Sequence, residues 1–165
     1  MALFKDGAIV KNLLYRSFTS GDVERLFSLY PITDSIVSSV ANMEPAVVNA
    51  LNRLSKNFVL FDHLTPLPIK NCYQTPETLG HDRIAAAVGA AYLSPGENLL
   101  IVDAGSAVTY DFVSAEHGYL GGNIAPGIKM RLTSLNQMTK RLPKIEIEPD
   151  ALTPLFGKNT KEAMA

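Results

Sequence analysis

The stretch Ile101-Val102-Asp103-Ala104-Gly105-Ser106-Ala107-Val108-Thr109-Tyr110-Asp111 constrains this chain more than any other part of it. The apolar run Leu99 to Val102 predicts a buried strand. A second strand, Val108 to Val113, follows almost at once, so the pair reads as a strand–tight turn–strand hairpin. An acid, a glycine and a hydroxyl stand at its bend. Phosphate and cation sites are often built this way. The glycine lets backbone N–H groups come close, the hydroxyl donates, and the carboxylate holds a cation or its water. Asp-x-Gly-Ser also forms ordinary hairpin turns, and taken alone the residues fit both readings.

With 165 residues, 47% of them hydrophobic and 19% charged, the chain suits a globular protein with a real core and one or two small domains. A formal net charge of −1 and a pI near 6.3 leave no basic footprint. Neither nucleic acid nor an anionic membrane is therefore an expected partner. The single Cys72 excludes an internal disulfide and fits a reducing compartment, where it reads as a small buried hydrophobe. No apolar run reaches a membrane-spanning length, and Met1 to Gly7 lacks the pattern of a signal peptide. The expected location is the cytoplasm.

Asp6-Gly7 between apolar runs predicts a hairpin over residues 2–15. Thr19-Ser20-Gly21-Asp22 opens a predicted helix, Val23 to Tyr30, that Pro31 ends. A strand is predicted from Asp34 to Val40, a helix from Ala46 to Leu54 behind Pro45, and a short strand from Phe58 to Phe61. Thr65 to Tyr73, with two prolines, reads as extended loop or edge strand. Pro76 to Ala91 reads as one helix. Ser94-Pro95-Gly96-Glu97-Asn98 is the clearest linker, which sets two α/β units with a boundary near residue 95. Beyond the hairpin, a third short strand is predicted near Tyr119-Leu120, punctuated by Gly118 and Gly121-Gly122. A helix over Ile128 to Thr139 and an extended stretch over Ile145 to Asp150 follow. Asn159 or Thr160 then caps a short last helix.

Three further groups of residues suit chemistry. In Gly80-His81-Asp82-Arg83 an acid and a base stand side by side at a helix start. Asp82 suits a general base toward a substrate hydroxyl, and Arg83 suits a bidentate grip on an anionic group. A plain N-terminal acid beside a solvated arginine fits as well. His63, His81 and His117 are isolated from other metal-binding residues. Gly121-Gly122 through Pro126-Gly127 offers close backbone approach and a helix N-terminus for an anion. Gly157-Lys158-Asn159-Thr160 offers a glycine turn with a hydroxyl at a helix start.

In order and spacing, these segments resemble the type III pantothenate kinases, of the acetate and sugar kinase/Hsp70/actin superfamily. The matching residues are Tyr73 to Arg83, Val102 to Asp111, Gly121 to Gly127, Leu142-Pro143 and Gly157 to Met164. The resemblance covers essentially all of the chain. It implies an α/β fold of two ribonuclease-H-like domains, both incomplete here, with residues 1–94 in the first and 95–165 in the second. It implies ATP-dependent phosphorylation of pantothenate, the first step of coenzyme A biosynthesis, by a homodimer that uses Mg²⁺ and a monovalent cation (K⁺ or NH₄⁺). By position, Asp82 resembles the catalytic base. Arg83 resembles the residue that holds the pantothenate carboxylate, with Tyr73, Gly80, His81 and Thr160 as further substrate positions. Asp103 matches the acid of the monovalent-cation site. Ser106 matches an ATP phosphate contact, with Gly105, Gly121 and Gly122 beside the nucleotide.

Two departures bear on activity. The family's first strand and its Asp-x-Gly-Asn-Thr phosphate motif have no match here, since Ala2 to Gly7 resembles the strand after that motif. The family also continues past Met164. Weak or absent turnover by residues 1–165 alone is therefore expected, along with exposed apolar surface in the first half. Two smaller changes are His81, where the family usually has alanine, and Ser106, where it usually has threonine. A non-catalytic pantothenate-binding or regulatory protein of the same fold is the alternative.

Overall fold

Asp6 and Gly7 take φ of 51° and 79°, so a tight turn joins β1 (Ala2–Lys5) to β2 (Ala8–Asn12), as the Asp-Gly pair predicts. The structure, a computed structural model, describes residues 1–39, 43–146 and 154–164. It divides into two units, Met1–Thr65 and Pro66–Ala165.

In the first unit, Thr19 caps α1 (Ser20–Leu29) through a capping box. Its N–H donates to Asp22 Oδ2 at 2.9 Å, and the Asp22 N–H donates back to Thr19 Oγ1 at 3.3 Å. Pro45 at the first position preorganises α2 (Pro45–Leu54). That helix connects the parallel strands β3 (Asp34–Val37) and β4 (Asn57–Leu60) as a βαβ crossover. The expected end of β3 at Val40 lies outside the described residues. Helical spacing puts Val47, Ala50 and Leu51 on one face of α2. They pack with Val23 of α1 and with Phe18, Phe27 and Phe58. β1–β2 and β3–β4 remain separate two-stranded sheets. Phe4, Ile9, Val10 and Ile36 are exposed on them.

In the second unit, the predicted single helix is two elements, a 3₁₀ turn at Pro76–Thr78 and α3 (His81–Leu93). Leu79 and Gly80, with ψ of 126° and 128°, break the helical path between them. α3 packs on β5 (Leu99–Ala104) and β6 (Ala107–Ser114), which form the predicted hairpin. The packing division therefore falls at residues 65 and 66, whereas the composition break falls at Ser94 to Asn98. The helix before the linker docks on the strands after it.

The third strand is far longer than predicted. β7 runs Gly118–Pro126 along the full length of β6, so Gly121 and Gly122 lie inside it and do not end it. Gly121, at φ 111°, sits at a bulge. Phe112 pairs with Gly121 and Val113 with Tyr119, which leaves Leu120 as the extra residue. The bulge turns Tyr119 onto the face that carries Asp111 and Val113, where it is fully buried. Outside Tyr119, the Lys70–Cys72 segment runs as an edge, matching the extended reading of that region. Tyr119 N–H donates to Lys70 O at 2.8 Å, and Cys72 N–H donates to Tyr119 O at 2.9 Å.

A Cβ on Gly122 would run into the Tyr110 carbonyl and the Asp111 carboxylate. Gly122→Ala is accordingly expected to cost about 1–3 kcal/mol, read as a lower urea midpoint at unchanged m-value. Gly127 is similarly tight against the Gly105 and Ser106 carbonyls, and its N–H donates to Ser106 O at 3.1 Å. This contact seats the start of α4 (Ile128–Met138) against the β5–β6 turn. At the C-terminal end, Asn159 caps α5 (Thr160–Met164), accepting from the Glu162 N–H at 2.9 Å.

Candidate active site

One buried charged pair organises the second unit. Arg83, on the first turn of α3, points inward onto β6 and is 6% exposed. Its Nε donates to Asp111 Oδ1 and Oδ2 at 3.0 and 3.2 Å, and its Nη2 donates to Oδ1 at 2.6 Å. Asp111 is 1% exposed, so this is a forked, desolvated ion pair. The hydroxyl of Tyr119 donates to the same Oδ1 at 2.7 Å. The Tyr73 ring lies 5.8 Å from the guanidinium carbon and 6.2 Å from the Tyr119 ring.

Burial by itself would raise the Asp111 carboxyl, but the Arg83 guanidinium and the Tyr119 hydroxyl hold it below the ordinary aspartate value. Burial, and then the bond to Asp111, push the Tyr119 hydroxyl well above the usual tyrosine range. The bond to Asp111 keeps Arg83 firmly protonated. A carboxyl depressed in the folded state stabilises the protein fully above its unfolded value of about 4. The contribution fades as pH falls toward and through the folded value. Thermal midpoints measured from neutral to acid pH should therefore drop below about pH 4, and Asp111→Asn should flatten that drop.

Asp82 faces the other way. Consecutive helical positions diverge by about 100°, so Arg83 turns to the sheet while Asp82 stays exposed. Asp82 Oδ1 accepts the Arg83 backbone N–H at 2.9 Å, and the helix dipole favours its charge there. Gly80 gives that carboxylate room, because a Cβ would come within 2.5 Å of Asp82 Oδ1. His81, beside it, is half-buried.

At the far end of the same sheet, Asp103 pairs with Thr109 and Ile101 with Asp111. Alternation puts Asp103, Thr109 and Asp111 on one face. Asp103, Gly105 and Ser106 are exposed at the turn. Ser106, Lys129, Met130, Thr133, Ser134 and Gln137 line an open cavity of about 360 Å³ along α4. A hydroxyl turn, a lysine and a helix N-terminus suit a phosphate chain. No group of three or more His, Cys, Asp or Glu is placed to hold a metal among the described residues.

The space left by the missing side chains of Gly121 and Gly122 is taken up on one side by the protein itself, by the Tyr73 ring and by Asp111. Gly122 is exposed on its other side. The structure brings the expected catalytic Asp82 together with Tyr73, Gly80, His81 and Arg83 of the expected substrate residues. Thr160 is exposed on α5, with no described contact to that group. Asp111 and Tyr119 carry no role in the sequence reading. The one mark in the sequence was an acid inside an apolar strand, which does not say which way that acid faces.

An exposed carboxylate and a buried guanidinium, with a hydroxyl-bearing turn on the sheet the helix packs against, stand together in an α/β unit. The profile of the family described as type III pantothenate kinase matches residues 14–165. A type III pantothenate kinase of Phocaeicola vulgatus is 39% identical over 164 residues, covering 99% of this chain and 67% of that protein. One from Bacteroides fragilis is 41% identical over 165 residues, with the same coverage of 99% and 67%. One from Christiangramia forsetii is 38% identical, again over 99% and 67%. The chain belongs to the type III pantothenate kinase family, and it spans about two thirds of the length of these relatives. A solved structure from Campylobacter jejuni, described as a candidate Baf family transcriptional activator, is 26% identical over 86% of this chain and 61% of that one. Its TM-score of 0.43 leaves the two folds unequated. Among the described residues, no helix is long and apolar enough to cross a membrane.

Proposed function

We propose that this chain acts in the ATP-dependent phosphorylation of pantothenate to 4′-phosphopantothenate, the first step of coenzyme A biosynthesis. The observation that carries the reading is the divergence of Asp82 and Arg83 at one helix start. One carboxylate is open to a hydroxyl, and one guanidinium is set in a cluster that suits a carboxylate. Arg83 holds the acid end of pantothenate, and Tyr73, Gly80, His81 and Thr160 complete its site. The substrate hydroxyl oxygen attacks the γ-phosphorus of ATP, the bond to the ADP oxygen breaks, and the hydroxyl proton passes to Asp82. Gly105 and Ser106 donate to the phosphates, with Gly121 and Gly122 shaping the strand beside them. Asp103 would supply an exposed carboxylate for the monovalent cation, K⁺ or NH₄⁺, and Mg²⁺ bound with the nucleotide would offset phosphate charge.

The same reading assigns residues 1–94 and 95–165 to two ribonuclease-H-like domains in a cytoplasmic homodimer. The βαβ unit at Asp34–Leu60 and the three-stranded antiparallel sheet at Leu99–Pro126 suit the α/β class of that reading, while packing divides the chain at residues 65 and 66. Calorimetry with pantothenate, followed by mass detection of 4′-phosphopantothenate formed with ATP, Mg²⁺ and K⁺, tests the function. Binding and product are expected in a protein carrying this chain. Binding with no product under any cation would favour the regulatory alternative, and no binding would refute the assignment.

A further inference from the structure

The fork to Asp111 engages one side of Arg83, and the Tyr73 side chain is a further hydrogen-bonding neighbour of the guanidinium. A guanidinium carries five N–H donors in one plane. Asp111 accepts from Nε and Nη2, along one side of that plane. The donors on Nη1 and the second hydrogen of Nη2 point along the guanidinium's end, where the Tyr73 side chain and a ligand carboxylate can share them. Asp111 is itself clamped, since Tyr119 donates to its Oδ1 at 2.7 Å and is 0% exposed. The Tyr73 ring, 5.8 Å from the guanidinium carbon, limits its tilt.

We propose that Asp111 is a positioning residue for the acid end of the substrate. Clamped by Tyr119, it fixes the plane of Arg83 so that the donors at its end meet a carboxylate edge to edge. It also cancels the arginine's charge, so recognition rests on the geometry of two parallel N–H···O bonds more than on net attraction. A planar fork binds a carboxylate well only when the two planes coincide, and a side chain already locked loses little freedom on binding. The inference rests on the reading of Arg83 as the carboxylate-binding residue. It adds the selection of a carboxylate over a neutral group of the same shape.

The test compares pantothenate with its primary-amide analogue by calorimetry, using wild type, Asp111→Asn and Tyr119→Phe. Wild type is expected to prefer the carboxylate. Asp111→Asn should weaken pantothenate about 10- to 100-fold, the scale of a misaligned charge-assisted hydrogen bond. It should leave the amide analogue unchanged, so the preference collapses. Tyr119→Phe should erode the preference partway. A folded Asp111→Asn that keeps the full preference, or that loses both ligands equally, overturns the proposal. Should Asp111→Asn show no cooperative unfolding transition, Tyr119→Phe decides alone, and an intact preference in it overturns the proposal. Wild type that binds the amide as tightly as pantothenate overturns the proposal but leaves the kinase reading standing. Wild type that binds neither ligand overturns both.

Discussion

Replacing Asp82 by asparagine is expected to lower kcat for pantothenate phosphorylation by about 10²- to 10⁴-fold, the usual contribution of a positioned general base. The thermal midpoint should stay where it is. Asp82 is exposed, and its one described hydrogen bond, from the Arg83 backbone N–H, can also be accepted by an asparagine oxygen. Pantothenate should still bind, because the proposed site holds its acid end at Arg83 and not at Asp82. A steady-state assay read beside binding calorimetry separates these effects. A variant that binds pantothenate and turns over normally would remove Asp82 from the chemistry.

The second large effect is on stability. Arg83→Met leaves Asp111 buried without its main countercharge, and Asp111→Leu does the same to Arg83. Each single substitution is expected to cost about 3–5 kcal/mol in chemical denaturation. The double substitution should recover most of that loss, because an apolar pair of similar volume replaces a pair that had been costly to desolvate. Pantothenate binding should not return with it. A double variant as unstable as either single one would mean that packing, not charge, sets the cost. The cycle would thus show whether the pair is kept for stability or for the ligand.

The local features were legible because local chemistry decides them. Asp6-Gly7, Thr19 with Asp22, Pro45, and the turn at Gly105-Ser106 each act within a few residues, and each is found where its residue types require. The pairing of Arg83 with Asp111 spans 28 positions. Nothing near Asp111 distinguishes an acid that faces a helix from one that faces solvent. Gly121 was legible as a residue able to take positive φ, but that freedom serves a bulge as readily as a turn. The strand was therefore expected to stop where it bends. The break at Gly80 was hidden in the same way, since the helix-forming run from Ile84 onward dominates the pattern around it.

The extra residue at Leu120 gives the spacing along β7 a margin of one. In an unbulged ladder each residue taken from a strand exchanges its two faces. With Leu120 deleted, Gly121 and Tyr119 would become neighbours opposite Phe112 and Val113, and plain alternation would keep Tyr119 on the face of Asp111. Loss of both residues between Tyr119 and Gly122 would carry Tyr119 to the other face, and Arg83 would lose the support behind Asp111 with no site residue replaced. The segment thus tolerates a one-residue deletion that removes the bulge, and not a two-residue one.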